Sequence, residues 1–241
     1  DGLYSIRLTA VDGAGNSSSD EVRFVWDTTP PAVEVGVNPG VKNSIFRQEG
    51  AVKDANRVLT LMWSKVSGLG EVSFGTPDAA HTTVKADVDG LYSIRLTAVD
   101  GAGNSSSDEV SFVWDTTPPK ITHSPVRLMP LGESFGIEMG ATDSSAVSAE
   151  LYYRPGGSRE FRDVLMTEIG DVLMAEIPAT EISYGFAYYL EAKDAAGNSS
   201  QFPKASIDRP LGVAVSGTYT HRFDFPSQSW NLFSVPLALM Q

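Results

Sequence analysis

Apolar and polar residues alternate in short runs along most of the chain. In one run, Tyr92, Ile94, Leu96 and Ala98 are separated by single polar residues. A period of two places the apolar side chains on one face, which predicts a half-buried β-strand. The segment DGAGN follows, and its Gly and Asn suit a tight turn. Alternation resumes in EVSFVWD, so the two runs predict an antiparallel hairpin.

Similar runs predict further strands, and turn residues separate them at the intervals of a β-sandwich. The frequent Gly, Pro and β-branched residues argue against any helix longer than one turn. The predicted fold class is therefore all-β, with tandem immunoglobulin-like antiparallel β-sandwiches. The apolar runs that predict these strands are Val33/Val35/Val37, Leu59/Leu61/Trp63, Val72/Phe74, Val84/Ala86/Val88, Phe135/Ile137/Met139/Ala141, Ala149/Leu151/Tyr153, Val164/Met166, Leu173/Ala175/Ile177 and Tyr188/Leu190/Ala192.

A 31-residue stretch occurs twice. Residues 1–31 return at 89–119 with a single change, Arg23 to Ser111, and a diverged copy lies at 185–203. Aligned on the Asp that opens each turn, the copies are 88 and 94 residues apart. A unit of this length is too long for a solenoid repeat and matches one small sandwich.

The motif WDTTPP marks the domain boundaries, because paired prolines lack amide donors and make a short, semi-rigid linker. Residues 1–27 are predicted to be the C-terminal hairpin of a truncated immunoglobulin-like domain. Residues 28–115 and 116–205 are predicted to be complete domains, and 206–241 a linker with the start of a further β-domain or a donor segment.

Composition excludes some functions. The chain has 18 Lys and Arg residues and 30 Asp and Glu residues, which gives a net charge of -12. This charge argues against a nucleic-acid partner, because a phosphate backbone requires a basic face. No run approaches the roughly 18 apolar residues of a membrane helix. The chain has no cysteine, which leaves the redox compartment open. No export signal is visible, and because the sequence starts in mid-pattern at Asp1, any such signal is expected upstream of it.

The segments TTVKADVDGLYSIRLTAVDGAGN and LTLMWSKVSGLGEVSF of the middle domain resemble the PKD-like branch of tandem bacterial immunoglobulin-like domains. The segment from DTTPPKITHSPV to YYLEAKDAAGNSS resembles the fibronectin III-like branch. Together the resemblance covers about 205 residues. It implies secreted or cell-surface proteins, and hence an extracellular, bacterial cell-surface location.

Calcium is the best chemical candidate, because loops at one end of such a sandwich face the incoming linker. Ca²⁺ takes six to eight oxygen ligands. The alternative is that each Asp caps its own turn, and the absence of a dense D-x-D-x-D-G run favours that alternative. The predicted ligands are Asp115, Asp143, Asp194 and Asn198 at one joint, and Asp27, Asp100 and Asn104, with Asp54 as a further candidate, at the other.

Catalytic motifs are missing from the sequence. The three histidines form no H-E-x-x-H or H-x-H pattern, and there is no G-x-S-x-G elbow or cysteine nucleophile. The protein is therefore predicted not to be an enzyme. Trp63 is expected in the core, Trp26 and Trp114 are expected to pack at the joints, and the run LYY should leave at least one tyrosine ring facing outward.

The sequence favours a structural spacer, the stalk of an extracellular bacterial surface or filament protein that presents an adhesive or catalytic part elsewhere. Its expected partners are neighbouring domains of the same or an adjacent chain, and a surface glycan or protein. Two alternatives stay open. One is an accessory substrate- or glycan-binding module of a secreted hydrolase. The other is a fibre subunit assembled head to tail by strand complementation, with WNLFSVPLALM as the donor.

Overall fold

The computed structural model describes residues 1–56, 58–182, 185–204 and 206–217. Strands dominate, and the one helical element in this part of the chain is the 3-10 turn Ala179–Glu181. The strands are β1 Gly2–Val11, β2 Ser17–Trp26, β3 Ala32–Glu34, β4 Val41–Lys42, β5 Phe46–Gln48, β6 Ala51–Lys53, β7 Val58–Ser67, β8 Val72–Phe74, β9 Thr82–Ala86, β10 Gly90–Asp100, β11 Ser105–Trp114, β12 Lys120–Thr122, β13 Leu128–Pro130, β14 Phe135–Thr142, β15 Val147–Pro155, β16 Arg162–Leu165, β17 Thr167–Ile169, β18 Val172–Ile177, β19 Phe186–Asp194, β20 Ser199–Phe202 and β21 Leu211–Ser216.

The duplicated stretch folds both times into the predicted hairpin, and the two hairpins have the same register. Gly2 pairs with Trp26 in β1–β2, as Gly90 pairs with Trp114 in β10–β11. The turn of each hairpin contains one glycine at positive φ, where other residues are strained. That glycine is Gly15 at φ 87° in the first copy and Gly103 at φ 93° in the second.

The middle sandwich, residues 28–115, packs its sheets around one apolar core. Its largest sheet has the order β4-β11-β10-β7, and the shorter sheets β3-β6 and β5-β9-β8 complete it. Tyr92, Ile94 and Leu96 are fully buried, as their alternation predicts, and Trp63 is 2% exposed, so it lies in the core. Trp114, which was expected to pack at the linker, is 4% exposed and belongs to this core.

Tyr92, near the start of β10, packs closely against the backbone of the segment before β8. Its hydroxyl accepts a hydrogen bond from the Gly70 amide at 3.0 Å and donates one to the Val88 carbonyl at 2.6 Å. The Tyr92 ring lies so close to Gly68 that a Cβ there would come within 2.1 Å of it. Only glycine fits this position, so the segment before β8 is shaped to receive the tyrosine.

The C-terminal sandwich, residues 116–217, has two sheets and a separate core. One sheet has the order β12-β14-β18-β17, and the other β13-β21-β19-β15-β16, with β20 also pairing with β19. Between them lie Ile137, Leu151 and Leu190, each at most 1% exposed. The predicted inward positions of these strands therefore face the core.

The end of this sandwich differs from the prediction that the domain ends at residue 205 and that 206–241 are a linker with the start of a further β-domain or a donor segment. Strand β21, Leu211–Ser216, pairs with β19 and with β13. Its Val213 is 4% exposed and packs in the C-terminal core, which explains why the strand belongs to this sandwich. The predicted donor segment WNLFSVPLALM lies outside the described residues.

The first hairpin lacks the cover that the second one has. Leu8 is 75% exposed, whereas its counterpart Leu96 is 0% exposed, and Trp26 is 58% exposed against 4% for Trp114. The prediction that Trp26 packs at its joint is thus wrong. In the described structure, β1 and β2 pair only with each other. The two nearly identical hairpins therefore lie in different environments within one chain.

Candidate functional site at the domain joints

Each linker is held from the domain that precedes it. At the second joint, Asp89, which lies just before β10, accepts hydrogen bonds from the Thr116 amide at 2.9 Å and from the Thr117 hydroxyl at 2.6 Å. At the first joint, Asp1 makes the equivalent bonds to the residues after Asp27, including one to the Thr28 amide at 2.9 Å. Neither Asp residue was predicted to bind a linker, although each stands at the start of a copy of the repeated stretch.

The same linkers are held from the domain that follows. The Asn198 amide donates to the Asp115 carbonyl at 2.8 Å, and Asn104 donates to the Asp27 carbonyl at 3.2 Å. Serine hydroxyls add a second tie, because Ser200 donates to the Pro119 carbonyl and Ser106 to the Pro31 carbonyl. The two joints therefore share one hydrogen-bonding pattern.

At the second joint the two sandwiches also contact each other directly. The Asn43 amide of the middle sandwich donates to the Asn198 side-chain carbonyl at 3.0 Å. Because Asn198 also donates to the Asp115 carbonyl, one side chain joins the linker, the middle sandwich and the C-terminal sandwich. Nothing in the sequence pattern had singled out Asn43.

The structure brings together the carboxylates predicted to bind calcium. One carboxylate oxygen from each of Asp115, Asp143 and Asp194 lies within 4.8 Å of the other two, and the same holds for Asp27, Asp54 and Asp100. Asp115 and Asp194 are buried and Asp143 is partly buried. The ion pairs found among residues 1–56, 58–182, 185–204 and 206–217 include none of these six carboxylates.

Neutral donors surround these carboxylates. Ser144 donates its hydroxyl to the Asp115 side chain at 3.0 Å, and the Ser145 amide donates to Asp143 at 2.9 Å. At the first joint the side-chain amide of Asn56 donates to the Asp27 carboxylate at 2.6 Å. These serines and Asn56 were not predicted, because their role depends on loops that meet only in the folded chain.

The turns supply the alternative explanation for the same Asp residues. In each hairpin the Asp carboxylate accepts hydrogen bonds from the side chain and backbone of the Asn four residues later, as Asp194 does at 2.8 Å from both. Asp12 makes these bonds to Asn16 although, in the part of the chain that the structure describes, it contacts no linker. Turn capping is therefore a property of the loop itself, and the carboxylate cluster is an addition at the joints.

Hydrogen bonding favours the charged form of two of the turn carboxylates, Asp12 and Asp100. The Asn16 side chain, helped by the backbone amides of Asn16 and Ala14, lowers the pKa of Asp12. For Asp100, burial acts to raise the pKa, but hydrogen bonds from Asn104 and Ala102 outweigh it and leave the pKa below its ordinary value.

Sequence comparison agrees with the geometry of the middle domain. Residues 42–113 match the family model described as "K319L-like, PKD domain". The middle sandwich is a PKD-like domain. The chain as a whole carries tandem immunoglobulin-like domains, because a second β-sandwich with a core of its own follows the PKD-like domain.

Two curated relatives are mammalian, whereas the sequence resembled bacterial domains. The chain is 24% identical over 211 residues to the mouse (Mus musculus) "Dyslexia-associated protein KIAA0319 homolog", covering 83% of this chain and 19% of the relative. The chain is 23% identical to the rat (Rattus norvegicus) homolog, and the match again covers 83% of this chain and 19% of the relative. The chain thus spans about a fifth of the length of these relatives.

Solved structures with similar folds include the titin fragment I67–I69 and the fibronectin(III)-like modules of Clostridium thermocellum CbhA. The titin fragment is 16% identical, covers 78% of this chain and 66% of its own, and has a TM-score of 0.46. The CbhA modules are 13% identical, cover 80% of this chain and 100% of their own, and have a TM-score of 0.42.

An aromatic cluster lies on the outer face of the C-terminal sandwich. Tyr152 stacks on Tyr189 with ring centroids 4.7 Å apart, and Phe161 meets Tyr189 edge-on at 5.0 Å. The Arg154 guanidinium lies over the Phe161 ring at 4.8 Å. Tyr189 is only 5% exposed, whereas Tyr152 and Phe161 are partly buried, as expected for a run LYY that leaves one tyrosine ring facing outward. Within the described residues, no helix is both long enough and apolar enough to cross a bilayer.

Proposed function

We propose that the chain is a non-catalytic structural spacer, in which the joints fix each β-sandwich relative to the next. The main support is the linker between the PKD-like domain and the C-terminal sandwich. Asp89 binds it from one side, and Asn198 with Ser200 binds it from the other. A linker bonded to both neighbours loses the freedom that five mostly polar residues would otherwise have.

The repetition of this pattern at the first joint is further support. A spacer needs every joint to have similar geometry, and the same types of side chain bind the same linker atoms at both joints. The joint is polar and hydrogen-bonded, which is more typical of an interface between domains of one chain than of a binding pocket. We place the spacer outside the cell and assign it the role of presenting a binding or catalytic part located elsewhere.

Distance measurements between spin labels test this proposal. The chain has no cysteine, so Glu71→Cys and Glu168→Cys on exposed sites of the two sandwiches give specific labelling. We expect a narrow distance distribution. The change Asn198→Ala should broaden it, because three hydrogen bonds that converge at the joint are lost.

The matched control is Asn16→Ala, which removes the same turn bond in a hairpin loop that contacts neither linker within the described residues. This variant should leave the distribution unchanged. A broad distribution in the unmodified chain would contradict the spacer proposal. Specific binding to a glycan array, together with a broad distribution, would support an accessory binding module instead.

A second proposal is that Ca²⁺ binds at the joints and stiffens them further. It is supported by the three carboxylates that converge at each joint. Like charges this close repel each other, and a divalent cation would replace that repulsion with attraction. Asp115, Asp143 and Asp194, with the Asn198 carbonyl, would hold it at the second joint. Asp27, Asp54 and Asp100, with Asn104, would hold it at the first.

The test is thermal unfolding with added CaCl₂ and with EDTA. If Ca²⁺ binds the folded state alone, free ion at 100 times its Kd stabilises by about 2.7 kcal/mol. We expect a higher melting temperature in Ca²⁺ than in EDTA, a smaller difference for Asp143→Asn, and no change in that difference for Asp12→Asn. Equal melting temperatures and no metal by elemental analysis would rule calcium out.

A further inference from the structure

The outer face of the C-terminal sandwich carries a row of side chains that is acidic at one end and basic at the other. On β15, Leu151 and Tyr153 are buried in the core, so Glu150, Tyr152 and Arg154 point outward. All three outward residues are partly exposed. At about 3.3 Å per residue the two charged residues are about 13 Å apart, and the tyrosine lies midway between them.

The charges in this row have no ion-pair partner among the described residues. Glu150 accepts the hydroxyl of Tyr152, and Glu191, directly opposite on β19, accepts an amide hydrogen bond from Gln201. The ion pairs found in that part of the chain include neither glutamate and do not include Arg154. Like charges directly opposite each other destabilise a sheet, so a cation placed over the two glutamates would relieve their repulsion.

The edge strand beside this row has an apolar side chain at each end. Leu165 of β16 lies next to Glu150 and is 67% exposed. Phe161 lies at the other end, where the Arg154 guanidinium is 4.8 Å from its ring. Asp163 stands between them at the level of the β15 tyrosine and is exposed. The acidic end of the face thus has a leucine beside it, and the basic end has a phenylalanine.

We infer that this face pairs with the same face of a second copy of the chain, about a two-fold axis that crosses the strands at Tyr152. Such an axis lays β15 antiparallel to its copy, so Glu150 of each chain faces Arg154 of the other. Leu165 likewise faces Phe161 of the second copy, and the two central tyrosine rings meet at the axis. An axis along the strands would instead place each charge on its own copy, so charge complementarity selects the first arrangement.

The size of the face fits a weak and reversible pair. β15 and β19 have nine residues each, so the face is about 30 Å long, and with β16 and β20 it is about 19 Å wide. This flat area is below the roughly 800 Å² that each partner buries in a standard interface. Pairing is therefore expected where chains are concentrated side by side. The inference is independent of the spacer proposal, because the face includes no joint residue.

Sedimentation equilibrium of the full chain tests this pairing. The mass should rise toward that of a dimer as the concentration increases, and about 0.5 M salt should weaken the pair at least about 5-fold relative to about 0.05 M, because it screens the contacts. Arg154→Glu and Glu150→Arg each bring like charges together twice and should each weaken pairing about 30-fold or more. Mixing these two variants in equal amounts should restore pairing, because opposite charges then meet at both contacts.

Further variants separate the pairing from a change in folding. The double variant Glu150→Arg with Arg154→Glu should pair as the unmodified chain does, which would show that the single changes act through charge. Asp163→Asn should strengthen the pair about 2-fold or more, since two equal charges face each other at the axis. Lys85→Glu makes the same change of charge at an exposed site of the PKD-like domain and should have no effect.

Two kinds of result would overturn the inference. One is a chain that stays monomeric at every concentration, or mixed charge variants that do not pair. The other comes from adding an oligoarginine peptide to the full chain. If the peptide binds a monomeric chain and Glu150→Arg abolishes that binding, the occupant of the face is a basic partner and not a second copy.

Discussion

At the scale of single residues, one carboxylate serves two structural roles. Asp100 caps the turn of its hairpin through Ala102 and Asn104, and it also lies in the carboxylate cluster of the first joint. Asp89 likewise fastens a linker, and although burial acts to raise the pKa of its carboxyl, bonds from Thr117 and Thr116 lower the pKa below its ordinary value. Both residues must therefore be charged for the structure to keep its full stability.

This predicts a loss of stability in acid. A folded-state pKa below the unfolded value means that the stabilisation is complete above the ordinary pKa of 3.8 and is lost as the pH falls below it. We expect the melting temperature of the PKD-like domain to fall on going from pH 5 to pH 3. Asp89→Asn should be less stable at pH 5 and show a smaller fall. A melting temperature that does not change over this range would contradict the prediction.

At the scale of elements, comparing the two hairpins measures how much burial contributes to the free energy of unfolding. Leu96 is fully buried in β10 and Leu8, at the same place in β1, is 75% exposed. Leu96→Ala should lower the free energy of unfolding of the PKD-like domain by about 2–5 kcal/mol, through lost transfer energy and a cavity. Leu8→Ala should change it by less than about 0.5 kcal/mol. Denaturant unfolding followed by circular dichroism checks both, and similar effects of the two changes would contradict the burial argument.

At the scale of the whole molecule, the PKD-like domain and the C-terminal sandwich have separate cores, and what joins them is polar. Their unfolding should therefore be nearly independent, since sites without shared partners contribute additively. In differential scanning calorimetry, Leu96→Ala should move the transition of the PKD-like domain and leave that of the C-terminal sandwich in place. A single transition that shifts as one would show that the joint couples the two cores.

Alternation in the sequence was enough to predict the all-β fold and the inward face of β10, because a strand with one buried face requires it. Convergence of Asp115, Asp143 and Asp194 followed from the known end of a sandwich at which such loops meet. The sequence could not reveal the exposure of Trp26 or the contact of Asn43, since both depend on which domain lies nearby. Strand β21 was missed because its run is only six residues long, although Leu211, Val213 and Val215 alternate and all pack against the core.

The repeated stretch includes the elements that meet at a joint from both directions. It contains the Asp and the two threonines that hold the outgoing linker, and also the turn Asn and the Ser that bind the incoming one. A genetic crossover between its two near-identical copies would thus add or remove 88 residues while leaving every joint composed of matching partners. The length of the spacer could then change over generations by one whole domain at a time. No new contact surface would have to be selected at each change.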